Sequence, residues 1–204
     1  MKKLQVTAKH SRREGIPLTD ASKHAKALAR RPFAPGVHGP DSRTRMTDYG
    51  KQLREKQKAK RIYGLNERQF SNVFAEVSKK RGNTAEMLIQ TLESRLDNVV
   101  FRAGFAKTRP AARQFVSHAH IEVNGKKVNV PSYRVRPGEV ISVRESKKKK
   151  GNWAQTTETV ANKTVPSWLS LDAGALSVKI TGKPEGTELQ QPFDIKLIVE
   201  FYSR

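Results

Sequence analysis

The sequence has no cysteine, which excludes disulfides, thiolate metal sites and a thiol nucleophile and gives no sign of an oxidising compartment. Five histidines are then a poor metal inventory. Lys2 and Lys3 are followed by LQVTAKHSRREG, which holds no apolar segment of the signal-peptide kind, and no run approaches the roughly 20 apolar residues of a membrane span. The expectation is a soluble, cytoplasmic chain with no membrane partner. Acidic residues are scarce as well, 19 against 40 Lys and Arg, for a formal charge of +21 and a pI near 10.5. Self-repulsion of that size calls for a polyanion, so nucleic acid is the first partner to consider. A length of 204 residues suits one large or two small domains, not a large multidomain enzyme.

The charge is unevenly placed. Residues 1–60 hold 16 basic and 5 acidic side chains, 61–93 hold 5 and 4, 94–150 hold 14 and 4, and 151–204 hold 5 and 6. Residues 1–46 are rich in turn formers, and RRPFAPGVHGP at 30–40 has three prolines, two glycines and no periodicity, which points to a basic extended arm ordered by what it binds. His10, His24 and His38 lie there without an accompanying carboxylate or thiol set, so they are taken as polar arm residues near RNA rather than metal ligands. TDYGKQLREKQKAKRIY, 47–63, is made largely of helix formers and stops before Gly64, with only the thin apolar line Tyr49, Leu53, Ile62 and Tyr63. Two packed helices should follow, one on Phe70, Val73, Phe74 and Val77, the other starting with Asn83 and Glu86 and buried through Met87, Leu88, Leu92 and Leu96.

The pattern then switches. Thr108 is a candidate N-cap with Pro110 in the first turn, and Ala112, Phe115, Val116 and Ala119 form one apolar face. Ile121 and Val123 alternate against Val128 and Val130 around Asn124-Gly125, the composition of a two-residue type I′ hairpin. Pro137-Gly138 makes a second turn before EVISVRE, and WLSLD and SVKIT can add strands. KKKK at 147–150 is a solvated tether or a phosphate contact. The ending DIKLIVEFYSR fits strand by its β-branched run and helix by Asp194 as cap with Leu197, Ile198 and Phe201 at helical spacing.

Arg109 and Arg113, one helical turn apart beside a helix N-terminus, form a phosphate-facing surface. Asn124, Lys126 and Lys127 of the hairpin lie close to the helix end, and His118 and His120 at the corner can stack on or hydrogen-bond to exposed sugars and bases. Replacing both arginines with alanine is expected to leave the fold intact but to weaken RNA binding and flatten its salt dependence by up to about two phosphate contacts.

SRLDNVVFRAGFAKTRPAARQFVSHAHIEVNGKKVNVPSYRVRPGEVISVRE, 94–145, resembles the small RNA-binding module first defined in the small-subunit ribosomal protein S4 family. SRREG at 11–15, RRPFAPGVHG at 30–39, YGKQLREKQKAKRIYGLNERQF at 49–70 and the terminal LIVEFYSR resemble the same family, so nearly the full chain is covered. The resemblance implies an α+β fold: an extended basic arm over 1–46, a helical domain over 47–93 plus about 181–204, and an inserted module over 94–180 with a helix pair and an antiparallel sheet. The ending becomes a helix that returns to the first domain. It also implies a non-enzymatic protein that binds small-subunit ribosomal RNA early, at a junction in the 5′ domain, nucleates assembly, lies among neighbouring proteins where messenger RNA enters, and affects decoding accuracy. Some relatives are thought to repress their own messenger RNA. RNA contact is carried over to Arg12, Arg13, Arg30, Arg31, His38 and Arg43 in the arm, to Lys51, Arg54, Lys58 and Arg61 on the first long helix, and to Arg95 and Lys107 before the module helix. Many relatives bind zinc through a cysteine cluster before the SRREG-like stretch. TAKHSRREG has no cysteine, so zinc is not carried over and no cofactor is expected.

Enzymes share such modules. SRLD at 94–97 superficially resembles the GRLD loop holding the catalytic aspartate of some pseudouridine synthases, which would make Asp97 catalytic. A helix-terminal Asp97 paired with a nearby arginine is the favoured alternative, because too little chain is left for a catalytic domain. Tyrosyl-tRNA synthetases carry the module too, yet no HIGH-like or KMSKS-like motif is present. A free-standing RNA chaperone is the non-enzymatic rival.

Overall fold

The computed structural model describes residues 6–41, 45–148, 153, 160 and 164–203. The fold is α+β, and the chain divides into two compact units, residues 1–88 with 191–204, and residues 89–190.

In the first unit, α1 spans Ala8–Glu14 and α2 spans Ser22–Arg30, where composition favoured an extended arm. The sequence lacks an apolar stripe here, and a buried polar fastening takes its place. Ser11 and His24 are buried, the Ser11 Oγ lies 2.6 Å from His24 Nδ1, and the same Oγ accepts the Leu18 N–H at 3.2 Å. Irregular chain follows as far as Asp41.

Helix α3 runs Asp48–Ile62, capped by Thr47, whose side chain accepts the Gly50 N–H. Gly64 ends it in the left-handed region at φ 63°, a conformation costly to any residue with a Cβ. Its buried face is not the thin apolar line. Gln52, Lys56, Ala59 and Ile62 are buried, while Tyr49 is exposed and Leu53 half-buried. Lys56 is tolerated inside because its Nζ donates to Glu67 at 2.7 Å and lies 4.2 Å from the Phe201 ring centroid.

Helix α4, Glu67–Ser78, opens with a reciprocal Asn66–Gln69 capping box and buries Phe70, Phe74 and Val77, with Val73 half-buried. The division between units falls within α5, Thr84–Glu93. Among its expected stripe, Leu88 and Leu92 are fully buried and Met87 partly.

The ambiguous ending is helical: the last helix, α9, spans Ile195–Tyr202, and the Asp194 side chain accepts the Lys196 N–H at 2.8 Å. Within the first unit it lies along α3 with Ile198 buried, Phe201 5.7 Å from Tyr49 and Tyr202 stacked 4.7 Å from Phe74. Burial alone pushes the Glu67 carboxyl up, but hydrogen bonds from Lys56, Lys60 and Tyr202 prevail and bring it to about 2. One carboxylate thus joins α3, α4 and α9.

The second unit contains α6 (Leu96–Arg102) and α7 (Arg109–Ser117), then β1 (Ile121–Val123), β2 (Lys126–Lys127) and β3 (Val140–Val143). A short α8, Glu145–Lys148, precedes β4 (Leu169–Asp172) and β5 (Ser177–Ile180). The sheet is antiparallel in the order β2-β1-β3-β5-β4. Asn124 and Gly125 have φ 50° and 73°, the sign a type I′ turn requires at both positions. The hairpin is short: Val128 extends it by one bond to Ile121 at 3.3 Å, and Val130 is exposed. The core lies between the helix pair and the sheet, with Leu96, Val99, Val100, Ala112 and Val116 against Ile121, Ile141, Val143 and Val178.

Candidate nucleic-acid interface

Helix α6 begins under tight restraint. The Leu96 and Asp97 N–H groups donate to the Tyr133 and Pro131 carbonyls at 2.8 and 3.2 Å, and the Val135 N–H returns to Ser94 at 2.9 Å. Asp97 is consequently buried at the first turn, where a carboxylate suits the helix dipole. Arg95 grips it through Nε and Nη2 at 3.1 and 2.9 Å, and Arg113 of α7 through Nε and Nη2 at 2.9 and 2.6 Å. Asp97 is therefore a partner of two arginines at a helix terminus, as the non-catalytic alternative held, although that terminus is the start of α6.

A second carboxylate lies alongside. Buried Glu93 accepts Arg102 through Nε and Nη2, both at 2.9 Å, and the Asn98 amide at 2.7 Å. The Asn98 side-chain oxygen in turn accepts Arg109 Nε at 2.8 Å, and the Arg109 guanidinium lies 4.4 Å from the Phe101 centroid. Four arginines and two acids leave this cluster net positive. Arg95 is largely buried at 9% side-chain exposure, whereas Arg113 and Arg102 reach solvent at 32% and 29%. Arg113 donates both of its bonds to Oδ2 of Asp97, while Arg95 alone covers both carboxylate oxygens.

Around α7, the Thr108 hydroxyl caps the helix, and Lys107 and His118 are exposed. His120 is half-buried, with Nδ1 accepting the Trp153 indole N–H at 3.2 Å and Phe115 5.6 Å away. Lys126 and Lys127 are exposed on the edge strand β2. Asn124 is a corner of the sheet, its side-chain oxygen accepting the Val140 N–H at 2.8 Å.

The first unit has its own basic groups. Lys9, Arg12, Arg30 and Arg31 line a cleft of about 300 Å³ with Ala8 and Ala27. Arg12 is held by the carbonyls of Arg31 and Phe33, both at 3.2 Å. Arg13 and His38 are exposed, and Arg43 lies outside the described residues. On α3, Lys51 pairs with Asp48 at 3.0 Å and Lys58 with Glu55 at 2.6 Å. Arg54 at 3.4 Å and Arg61 both meet the buried Glu14 carboxylate. Burial raises the Glu14 pKa against the pull of Arg54 and Arg61. Sequence reasoning missed Lys9 and Arg102. Lys9, one turn before Arg12 and Arg13, was detectable from helical spacing, whereas Arg102 meets Glu93 nine residues away and has no local signal.

Among the described residues no helix is long and apolar enough to cross a membrane, and no three His, Cys, Asp or Glu side chains are grouped to hold a metal ion. Residues 2–93 match the family described as ribosomal protein S4/S9 N-terminal domain, and residues 94–141 match the S4 domain. The chain is 49% identical to the small ribosomal subunit protein uS4 of a Geobacillus species over 97% of this chain and 96% of that one. Against the uS4 proteins of Thermus thermophilus and Chlorobium phaeovibrioides the identities are 47% and 45%, over 95% and 96% of this chain and 94% and 96% of theirs. With both halves of the chain matched and identity near one half from end to end, the protein belongs to the uS4 family of small ribosomal subunit proteins.

Proposed function

We propose that the chain is a structural constituent of the small ribosomal subunit that binds its ribosomal RNA directly, nucleates assembly of the subunit body and contributes to translational accuracy in the cytoplasm. Its family is one of ribosomal structural proteins, and it is not an enzyme. The observation that carries the reading is the net positive cluster of Arg95, Arg102, Arg109 and Arg113, all within the residues matching the S4 domain and fixed by two buried carboxylates, Asp97 within that match and Glu93 just before it.

Recognition is of shape. Guanidinium and ammonium groups neutralise phosphates, while a rigid frame fixes where those phosphates lie. The proposed contact set in the second unit is Arg109, Arg113, Lys107, His118, Lys126 and Lys127, with Arg95, His120 and Asn124 as interior or corner members. In the first unit it is Arg12, Arg13, Arg30, Arg31, His38 and Arg43 together with Lys51, Arg54, Lys58 and Arg61. The proposed RNA is the helical junction of the 5′ domain, with neighbouring ribosomal proteins and the incoming messenger as further partners, and the protein's own messenger as a second RNA target.

The test is equilibrium binding of the full chain to the 5′ domain of small-subunit ribosomal RNA and to unrelated structured RNA of equal length, over a salt series. Preference for the 5′ domain that persists at moderate salt is expected. Equal, steeply salt-sensitive binding to both RNAs would overturn the reading in favour of an RNA chaperone.

A further inference from the structure

Two acidic side chains belong to the RNA-binding machinery of this polycation: we propose that Asp97 and Glu93 are positioning residues for RNA phosphates. The inference rests on the proposed function, because it concerns how the arginines of that interface are presented.

Three arginines use the same edge. Arg95 and Arg113 on Asp97, and Arg102 on Glu93, all donate through Nε and Nη2. A planar guanidinium gripped along that edge has its plane fixed and its Nη1 end turned away from the carboxylate. Arg109 is fixed differently, by the Asn98 oxygen on its Nε and the Phe101 ring on its face, and Asn98 is itself held by Glu93. Thus Arg102, Arg109 and Arg113, the three members that reach solvent, are each tied to one of two acids that do not.

The acids are poorly placed to repel RNA. Glu93 and Asp97 are 2% and 4% exposed and sit behind the cations. Their two charges are outnumbered locally by three guanidiniums, Arg95 and Arg113 on Asp97 and Arg102 on Glu93. What they supply is preorganisation. Arginine loses much side-chain freedom when it grips a phosphate, and here most of that loss is taken on folding rather than on binding. The same acids set the spacing between guanidiniums, which sequence-independent recognition of an RNA fold requires.

The proposal makes a prediction opposite in sign to simple charge counting. Asp97→Asn raises the net charge of +21 by one, so Coulomb attraction alone predicts tighter RNA binding and a salt slope no smaller than that of the parent protein. Positioning predicts binding weaker by about tenfold and a salt slope smaller by about one to two phosphate contacts. Asp97→Glu keeps the charge and moves the carboxylate outward by one methylene. Charge counting predicts no effect, and positioning predicts the same loss in lesser degree.

Both variants are titrated as full chains against the 5′ domain RNA and against unrelated structured RNA, below the unfolding midpoint set by circular dichroism. A purely structural role lowers that midpoint and leaves the salt slope of the folded protein unchanged. Unchanged or tighter binding by Asp97→Asn, or parental affinity and slope in Asp97→Glu where the asparagine variant does not fold, overturns the proposal. The parent protein's preference between the two RNAs reports separately on the function itself.

Discussion

His24 illustrates how one side chain can replace an absent core. It is buried, with Nδ1 2.6 Å from the Ser11 hydroxyl, whose oxygen also accepts the Leu18 N–H. Burial disfavours the charged imidazole there. Burial, and secondarily the Lys23 charge, lower its pKa from the ordinary 6.5. The unfolded chain therefore takes up a proton at higher pH than the folded one. The stabilisation is fully present above the unfolded value and is lost as pH falls through 6.5 toward the lower folded value. Protection of the Leu18 amide against hydrogen exchange, corrected for intrinsic exchange, should fall between about pH 7 and about pH 5. Protection that does not vary there would show that His24 does not hold the α1–α2 pair. None of this was legible in the sequence, where Ser11 and His24 are two polar residues thirteen positions apart. Arg109 and Arg113 were legible as a pair by their helical spacing. That Asp97 pairs with an arginine was legible too, but not that Arg113 is one of its two partners, because the two meet across sixteen residues, between elements rather than within one.

At the level of elements, local chemistry that repeats was the readable part. The α7 cap, its apolar face and the Asn124-Gly125 hairpin follow from side-chain types at fixed offsets. The face of α3 was misjudged because its buried members, Gln52 and Lys56, are polar, and only their partners Glu200 and Glu67 make them tolerable inside. The junction between α7 and β1 carries a cost. Ala119 lies at φ 56°, a left-handed conformation that disfavours a Cβ by about 1–2 kcal/mol, while glycine loses more backbone entropy on folding. The first effect is the larger, so Ala119→Gly should stabilise the chain by roughly 0.5–1 kcal/mol in urea unfolding. A destabilised variant would mean that the turn is relaxed or that the alanine methyl makes a contact worth more than the strain.

For the whole molecule, charge is the dominant fact. The first unit holds 23 basic and 10 acidic residues and the second 17 and 9, so each repels itself without RNA. Exposed ion pairs such as Lys51–Asp48 and Lys80–Glu76 pull the other way, but such pairs contribute about 0–1 kcal/mol apiece and weaken in salt. Net repulsion is the larger effect. The unfolding midpoint of the free protein should rise as sodium chloride increases from low values to about 0.3 M, where the Debye length falls below the spacing of most surface charges. RNA binding should weaken over the same range. A falling midpoint would assign the greater weight to the ion pairs.

The first unit is discontinuous in the chain: residues 191–204 complete it, and all of residues 89–190 intervene. A ribosome making this protein releases α3 and α4 long before α9, so the surface around Ala59, Phe70 and Phe74 must wait uncovered while the second unit is translated. The second unit is contiguous and can close as it emerges. Synthesis thus brings out the helix pair carrying the arginine cluster well before the last helix of the first unit. The helical unit becomes competent only after its final helix has left the exit tunnel, and in that interval nascent chains are exposed to mispairing and to chaperones.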